Sequence, residues 1–394
     1  MDEVNKNVLY ISYDGMTDPL GQSQVLPYLI GLSENGYSFD LISFEKKERF
    51  NTVKNTIIDI CEKANIVWYP MTYSKRPPVV STIWDMFKLN QKIKSIGKKK
   101  EINLIHCRSY LPAIFGMKYK KKWTTSFLFD MRGFWANERV DGKIWNIKTF
   151  PYNYIYRYFK KKEKLFFRHA DHTVSLTSNG KNEILSWVNA ESFSPISVIP
   201  CCSDLNLFEI QNKSSDLFII GYLGSLGTWY MLDEMLLFFK EILKLKPNAL
   251  FHFITKDPAE KIHENATQHK IPLTSLIIEQ SERSEIPKKT KDWSLSLIFI
   301  LPSYSKKASS PTKQGELMAM GIPVVCNKNV GDTDHLVQKY KSGFVLESFE
   351  FKTINFSEFI NTKFDKSKIR AGAIDYFSLK KGIAKYLSIY NKIT

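Results

Sequence analysis

The segment SSPTKQGELMAMGIPVV, residues 309–325, sets Lys313 and Glu316 three positions apart beside a helix start. Ser310 reads as the cap and Pro311 as the first helical residue. Gly321, Ile322 and Pro323 close the helix, and Pro323–Val325 opens a buried strand. A lysine is out of place in that first turn, because the positive end of the helix dipole favours an anion. With the free N–H groups of Thr312 and Lys313, the ammonium makes a seat suited to a phosphate or diphosphate. Glu316, one turn on, has the lone pairs to accept two hydrogen bonds from a vicinal diol such as a ribose. A nucleoside diphosphate meets both demands. The competing reading is an ordinary surface helix whose misplaced lysine costs only about 0.3 kcal/mol.

Four other loops carry residues of the same kind. GYLGSLGTWYMLDEM, residues 221–235, follows an apolar run: Gly224 and Gly227 allow a tight turn and close backbone approach, Ser225 lies between them, and Thr228 is placed to cap the next helix. It lacks the spaced GxGxxG of a dinucleotide site. SYDGMTDPLGQSQVLPYL, residues 12–29, opens its helix at Gly21, a further donor-binding candidate. HCRSYLPA supplies His106, Arg108 and Ser109 at a strand end, candidates for the acceptor. LFDMRGFWANERVDG supplies Asp130 and Arg132, either a substrate-contacting pair with Arg132 as a phosphate fork or a mutual salt bridge holding the loop. His106 alone reads as a satisfied strand-end histidine as readily as a base. Asp332 and Asp334 in NVGDTDHL resemble metal-binding carboxylates, but they follow a glycine turn and open a helix, so a capping aspartate is the better reading and no metal site is expected.

The elements that must position these loops alternate. Apolar runs at 7–12, 38–44, 65–70, 103–107, 126–131 and 172–176 are separated by helical stretches at Gln22–Asn35, Val79–Gly97, Tyr152–Ala170 and Ser178–Val188. After 196–200 the pattern restarts, with strands expected at 218–224, 249–254, 275–279, 295–300, 322–326 and 343–347. Alternating strand and helix gives parallel sheets covered on both faces, and two such series give two Rossmann-like α/β domains. Ligands of such sheets bind beyond the carboxyl ends of the strands, and with two facing domains the central cleft is the expected site. The expected divisions are 1–195, 196–375 and a closing amphipathic helix within 376–394.

With 394 residues, 43% of them hydrophobic, the chain has material for two cores. No apolar run reaches the ~20 residues of a membrane span, and the amino terminus reads as a strand rather than a signal peptide. Five scattered cysteines without CxxC spacing fit a reducing cytoplasm and neither zinc nor a disulfide framework. The net charge is +16, and residues 88–171 alone carry 21 Lys and Arg against 6 Asp and Glu, with aromatics interleaved. That stretch suits an anionic lipid surface, a phosphorylated substrate or nucleic acid, or is simply a solvated lysine-rich face.

These residues carry a resemblance. SPTKQGELMAMGIPVV, GYLGSLGTWY and SVIPCCSDLNLF resemble the C-terminal half of glycosyltransferase family 4, retaining enzymes of GT-B fold. YDGMTDPLGQSQVLPYL and FDMRGFW resemble the N-terminal half of its bacterial cell-surface polysaccharide branch, and YFSLKKGIAKYLSIY resembles the last helix, which crosses back to the first domain. The resemblance implies that Glu316 holds the nucleotide ribose as the second of a glutamate pair. The position of the first is Ala308, so Ser309 and Ser310 or their backbone groups are left to meet the donor sugar. The family's arginine and lysine after the GxLG strand are replaced by Ser225, Thr228, Trp229 and Tyr230, and Lys313 is the cation available instead. The implied reaction is transfer from a nucleotide diphosphate sugar, bound by the C-terminal domain, with retention and without a metal cofactor. The diphosphate leaves at the helix ends and Lys313, with Asp130 and Arg132 as further catalytic candidates. The implied acceptor is a polyprenyl-diphosphate-linked or glycan substrate in O-antigen, capsule or exopolysaccharide synthesis. It is met by a cytoplasmic protein peripheral on the inner face of the plasma membrane, with no nucleic-acid partner. The rivals are a GT-B sugar-nucleotide epimerase, a degenerate inactive transferase and a basic nucleic-acid-binding protein.

Overall fold

The computed structural model describes residues 6–394. The chain divides into two compact units: one formed by the residues up to Ile199 together with Leu379–Thr394, the other by Pro200–Ser378.

The first unit is a seven-stranded parallel sheet in the order β3-β2-β1-β4-β5-β6-β7. Its strands are β1 (Lys6–Ser12), β2 (Tyr37–Glu45), β3 (Ile66–Thr72), β4 (Leu104–Arg108), β5 (Ser126–Asp130), β6 (His172–Ser175) and β7 (Ile196–Val198). Around them pack α1 (Pro19–Gln24), α2 (Leu26–Ser33), α3 (Lys47–Lys63), α4 (Val80–Gly97), α5 (Tyr110–Trp123), α6 (Trp135–Asp141), α7 (Tyr152–His169) and α8 (Ser178–Leu185). The central strands are mostly apolar because helices cover both faces: Val8, Leu9, Ile11, Leu104, Ile105, Phe127 and Phe129 are fully buried. The chain winds outward from β1 to β3, then crosses back to β4 and winds the other way. Right-handed crossovers put the helices of the second run, α4, α5 and α7, on one face. α5 touches both neighbours: Lys118 and Tyr119 donate to Asn90 Oδ1 on α4 at 3.1 and 2.8 Å, and the Tyr110 hydroxyl donates to Glu163 on α7.

The second unit is a six-stranded parallel sheet in the order β10-β9-β8-β11-β12-β13. Its strands are β8 (Ile219–Leu223), β9 (Leu250–Ile254), β10 (Leu276–Glu279), β11 (Trp293–Ile298), β12 (Val324–Asn327) and β13 (Gly343–Leu346). Its helices are α9 (Leu232–Leu245), α10 (Ala259–Gln268), α11 (Ile286–Thr290), α12 (Thr312–Ala319), α13 (Thr333–Tyr340), α14 (Phe356–Asn361) and α15 (Lys366–Tyr376). Two apolar clusters flank this sheet, one dominated by phenylalanines from α9 and α14, the other by α12 and α15. The last helix, α16 (Leu379–Ile393), belongs to the first unit: Tyr386 meets Tyr28 edge-on at 5.4 Å, and Tyr37 donates to Asn391 at 2.7 Å.

Both sheets are parallel and the class is α/β, as the alternation predicts. Several local expectations differ. Residues 196–198, which the expected division at 195/196 puts in the second domain, form β7, which pairs with β6 at the edge of the first sheet. The stretch 22–35, read as one helix, is broken at Val25 into α1 and α2, because Pro27 lacks the N–H that a continuous helix needs. α12 begins at Thr312, so Pro311 takes the flanking position expected for Ser310. Ser310 Oγ instead accepts from Cys201 N at 3.2 Å. Thr228 caps nothing, since α9 starts at Leu232. Asp332 does flank α13, but its carboxylate accepts from the Tyr376 hydroxyl at 3.0 Å and makes no capping bond. All five cysteines are buried and free.

Candidate functional site

The residues singled out by type and spacing fall into two groups, one in each unit. In the second unit the first turn of α12 carries Lys313 and the next turn Glu316, both buried at 8% and 6% exposure. The Lys313 ammonium has no hydrogen-bond partner among the described residues. It lies instead over two aromatic faces, 4.1 Å from the Tyr222 ring centre and 3.7 Å from that of Tyr230. Ring quadrupoles attract the cation but do not replace its hydration, so burial pushes its pKa down from 10.5 to about 7, with Glu316 and Asp257 pulling weakly the other way. This ammonium is poised to lose or regain its charge near neutrality, and an anion beside it would favour the charged form.

Glu316 is held by Arg283, which sits in the short turn after β10, with 2.7 Å between Nη1 and Oε1. The guanidinium also lies over the Phe208 ring, 4.8 Å from its centre. Burial raises the Glu316 pKa, and Arg283 counters that rise by favouring the carboxylate. Arg283 is itself partly exposed, so the pair joins a buried acceptor to the surface.

The loop after β8 faces Lys313. Gly224 has φ +103°, a conformation that L side chains rarely adopt, and the position of an added Cβ lies 3.5 Å from Lys313 Nζ. The loop is pinned by Asp257, which follows β9: its carboxylate accepts from Leu226 N and from Thr255 Oγ1, the latter at 3.1 Å, and lies 3.4 Å from Ser225 Oγ. Ser225 Oγ accepts from Gly227 N at 3.2 Å. Beyond the exposed Thr228, an antiparallel bridge ties Tyr230 to Ile300, and Trp229 O accepts from Leu301 N at 2.8 Å. Lys306 lies 3.7 Å from the Trp229 ring centre, so adjacent aromatic residues each face a lysine from the segment after β11. Ser309, Ser310 and Thr312 line that same segment, half-buried, and Ala308 is fully buried.

In the first unit His106, Arg108, Asp130 and Arg132 converge at the carboxyl ends of β4 and β5. Asp130 Oδ2 is 3.7 Å from His106 Nε2 and 3.8 Å from one guanidinium nitrogen each of Arg108 and Arg132; the Tyr386 hydroxyl of α16 donates to it at 3.2 Å. Burial works to raise the Asp130 pKa, but Arg132, then His106 and Arg108, outweigh it and hold the carboxyl below its ordinary range. Burial lowers the His106 pKa, and its Nδ1 is 2.7 Å from the Tyr390 hydroxyl. Arg108 Nε donates to Asp14 of the loop after β1 at 3.2 Å. Ser109 and Arg132 hold φ of 71° and 58°, and Ser109 N donates to Asp130 O at 2.7 Å, so two left-handed residues face the cluster. Unfavourable backbone of this kind, held by surrounding bonds, concentrates at working sites. Gly21 stands apart inside α1, where a Cβ would lie 2.3 Å from Gly15 O; its lack of a side chain lets α1 pack on the loop after β1.

Sequence reasoning names Tyr230 without pairing it with Lys313, and misses Arg283, Asp257 and Tyr222 around that lysine and Tyr386 and Tyr390 around Asp130. All lie more than 50 positions from the groups they serve except Glu316's partner Arg283, and no local spacing signals them. Among the described residues no cluster of three or more His, Cys, Asp or Glu could hold a metal ion, and no helix is long and apolar enough to cross a membrane.

Residues 204–363 match the family model described as Glycosyl transferases group 1. The second unit carries a glycosyltransferase domain. That match takes in Lys313 and Glu316 of α12, Arg283 and the turn at Gly224. The chain is similar to solved structures across both units. One is sucrose-phosphate synthase from Thermosynechococcus elongatus, with TM-score 0.74, 14% identity and 98% of each chain covered. Another is a glycosyltransferase from Rickettsia africae, with TM-score 0.71, 16% identity and 99% of each chain covered. A third is Anabaena HepE in complex with UDP and glucose, with TM-score 0.66, 14% identity and coverage of 98% of this chain and 99% of that one. No curated protein sequence matches the chain. The fold is GT-B.

Proposed function

We propose that the chain is a retaining glycosyltransferase that moves a sugar from a nucleotide diphosphate sugar to a polyprenyl-diphosphate-linked or polysaccharide acceptor in cell-surface glycan synthesis, working peripherally at the inner face of the plasma membrane. The observation that carries this reading is the buried Lys313 ammonium without a hydrogen-bond partner, one turn from the Arg283-held carboxylate of Glu316, within the matched domain. A buried cation lacking a partner is costly, and a diphosphate supplies the partner. The anion meets the first turn of α12 and the turn at Gly224, while Glu316 accepts from the ribose diol. Contact with Lys313 requires the Tyr230 ring or the lysine itself to turn, because the ammonium is covered. The UDP held by the Anabaena neighbour supports a donor of this class.

Charge develops on the leaving diphosphate as the glycosidic bond breaks, and Lys313 and the helix end stabilise it there. Removing one such donor costs roughly 10²–10³ in rate. The leaving phosphate oxygen takes the acceptor proton, so no protein nucleophile is needed. In the first unit, Asp130 with Arg108 and Arg132 offers a carboxylate flanked by guanidinium groups. Arg132 is the fork for an acceptor phosphate, and His106 and Ser109 border it. The reaction needs no metal.

A thermal-shift panel of UDP- and GDP-sugars tests the donor, since ligand bound to the native state raises its melting temperature. Sugar transfer to a lipid-linked acceptor, as opposed to an epimerised nucleotide sugar, separates the transferase from an epimerase. No shift with any nucleotide diphosphate would remove the basis of the proposal.

A further inference from the structure

Two helices of one layer of the first unit expose apolar and aromatic side chains that nothing in the fold covers. On α4, Ile83, Trp84 and Phe87 are exposed, and the Trp84 and Phe87 rings stack with centres 5.6 Å apart. Before and along α7, Phe150 is 82% and Tyr154 64% exposed, with Ile144 and Tyr158 beside them in sequence and also exposed. A soluble surface tolerates scattered apolar residues, but not grouped aromatic ones without reason.

Their position and their charged neighbours point to an occupant. In a parallel sheet the crossover helices run opposite to the strands, so the amino-terminal halves of α4 and α7 lie at the carboxyl edge of the sheet. That is the edge at which His106, Arg108, Asp130 and Arg132 gather. Both helices therefore bring their exposed apolar residues to the end where the acceptor candidates lie. Further along each helix the exposed face turns cationic. On α7 it presents Arg157, Lys161, Lys164 and Arg168, and on α4 it ends at Lys94. The acids of these helices are withdrawn from that surface: Glu163 is buried against Tyr110 and Lys160, and Asp85 is buried against Tyr13, Ser74 and Lys88. Apolar tips followed by an acid-free basic face match the two layers of an anionic bilayer surface, acyl boundary and phosphate headgroups. Aromatic side chains favour that interface because one end is apolar and the other wet.

We propose that the amino-terminal halves of α4 and α7, with the segment 144–150 leading into α7, form a surface that docks on an anionic lipid bilayer. Ile83, Trp84, Phe87, Phe150 and Tyr154 enter the acyl boundary, and the α7 cations rest on the headgroups. This inference names the membrane surface within the function proposed above and rests on that reading. Docking there brings the carboxyl edge of the first sheet to the bilayer, where a lipid-linked acceptor would present its head.

Cosedimentation with vesicles tests it, using the full chain, phosphatidylcholine vesicles and vesicles in which about a third of the lipid is phosphatidylglycerol. The parent is expected to bind the anionic vesicles and to be released by salt. The pairs Trp84→Ser with Phe87→Ser, and Phe150→Ser with Tyr154→Ser, are each expected to lower the partition coefficient at least about tenfold. Because these side chains are exposed, the melting temperature and nucleotide binding of both variants stay those of the parent. Loss of binding in both pairs with unchanged melting supports the docking face. Parent binding that both pairs leave intact overturns the face while leaving membrane association standing. Absence of parent binding to anionic vesicles overturns both, and nucleotide titration then shows separately whether the donor reading survives. A change in self-association instead of vesicle binding assigns the patches to a second copy of this chain and overturns the proposal.

Discussion

Replacing Lys313 by methionine separates stability from activity at one position. The methionine side chain is of similar length, and its thioether packs well on the Tyr222 and Tyr230 faces that now hold the ammonium. Burial lowers the lysine pKa from 10.5 to about 7. At ~1.36 kcal/mol per pKa unit this corresponds to a stability cost of about 5 kcal/mol. The sign follows from proton counts. Between pH 7 and 10.5 the unfolded lysine holds a proton that the folded one has lost, so stability rises with pH across that window. The cost is complete below about pH 7 and gone by about pH 10.5. Lys313→Met should therefore unfold at higher urea at pH 6, with the gain shrinking by ~1.4 kcal/mol per pH unit from 7 upward. Transfer activity should meanwhile fall roughly 10²–10³-fold. Binding of a nucleoside diphosphate to the parent should take up a proton: full affinity below about pH 7, weakening by up to about tenfold per pH unit above it, with that slope absent in the variant. Urea unfolding at pH 6, 8 and 10 and calorimetric titration with UDP and GDP over the same range read both effects. A variant less stable at pH 6, or a gain as large at pH 10 as at pH 6, refutes the buried-cation argument. A pH slope that persists without the lysine refutes its contact with phosphate.

Arg283→Gln leaves the Glu316 carboxylate buried without its cation, so its pKa climbs further. Nucleotide affinity should drop about tenfold near neutrality and more as the pH falls, as read by titration at pH 6 and 8, whereas a uniform loss across pH would mean that Arg283 contacts the ligand directly. Asp130→Asn removes the counter-charge of Arg108 and Arg132 and should destabilise the first unit by about 3 kcal/mol, seen as a lower melting temperature, while nucleotide binding by the second unit is retained. Sugar transfer should be unchanged by EDTA, and a loss restored by a divalent cation would overturn the metal-free reaction.

Much of the architecture is legible in the sequence. Alternating apolar runs and amphipathic stretches place every strand of both sheets except β7 to within about two residues, because a strand buried on both faces is mostly apolar along its length. Segment 196–198 is ambiguous in sequence: three residues of strand look alike in either sheet, and only the ladder with β6 assigns them. Helix boundaries are ambiguous in sequence where proline has two permitted positions, as at Pro311.

The types and spacing of Lys313 and Glu316 are properties of the sequence, since a helix turn brings positions three apart to one face whatever surrounds them. That Lys313 is buried under Tyr222 and Tyr230, that Arg283 holds Glu316, and that α16 brings Tyr386 to Asp130 were decided by tertiary structure alone. The physical reason is that desolvation and ion pairing depend on which distant segments pack together, and each of these partners arrives on a different strand end or helix. The same holds for the exposed aromatics of α4 and α7: the sequence contains them, but only the packed sheet shows which rings it leaves uncovered.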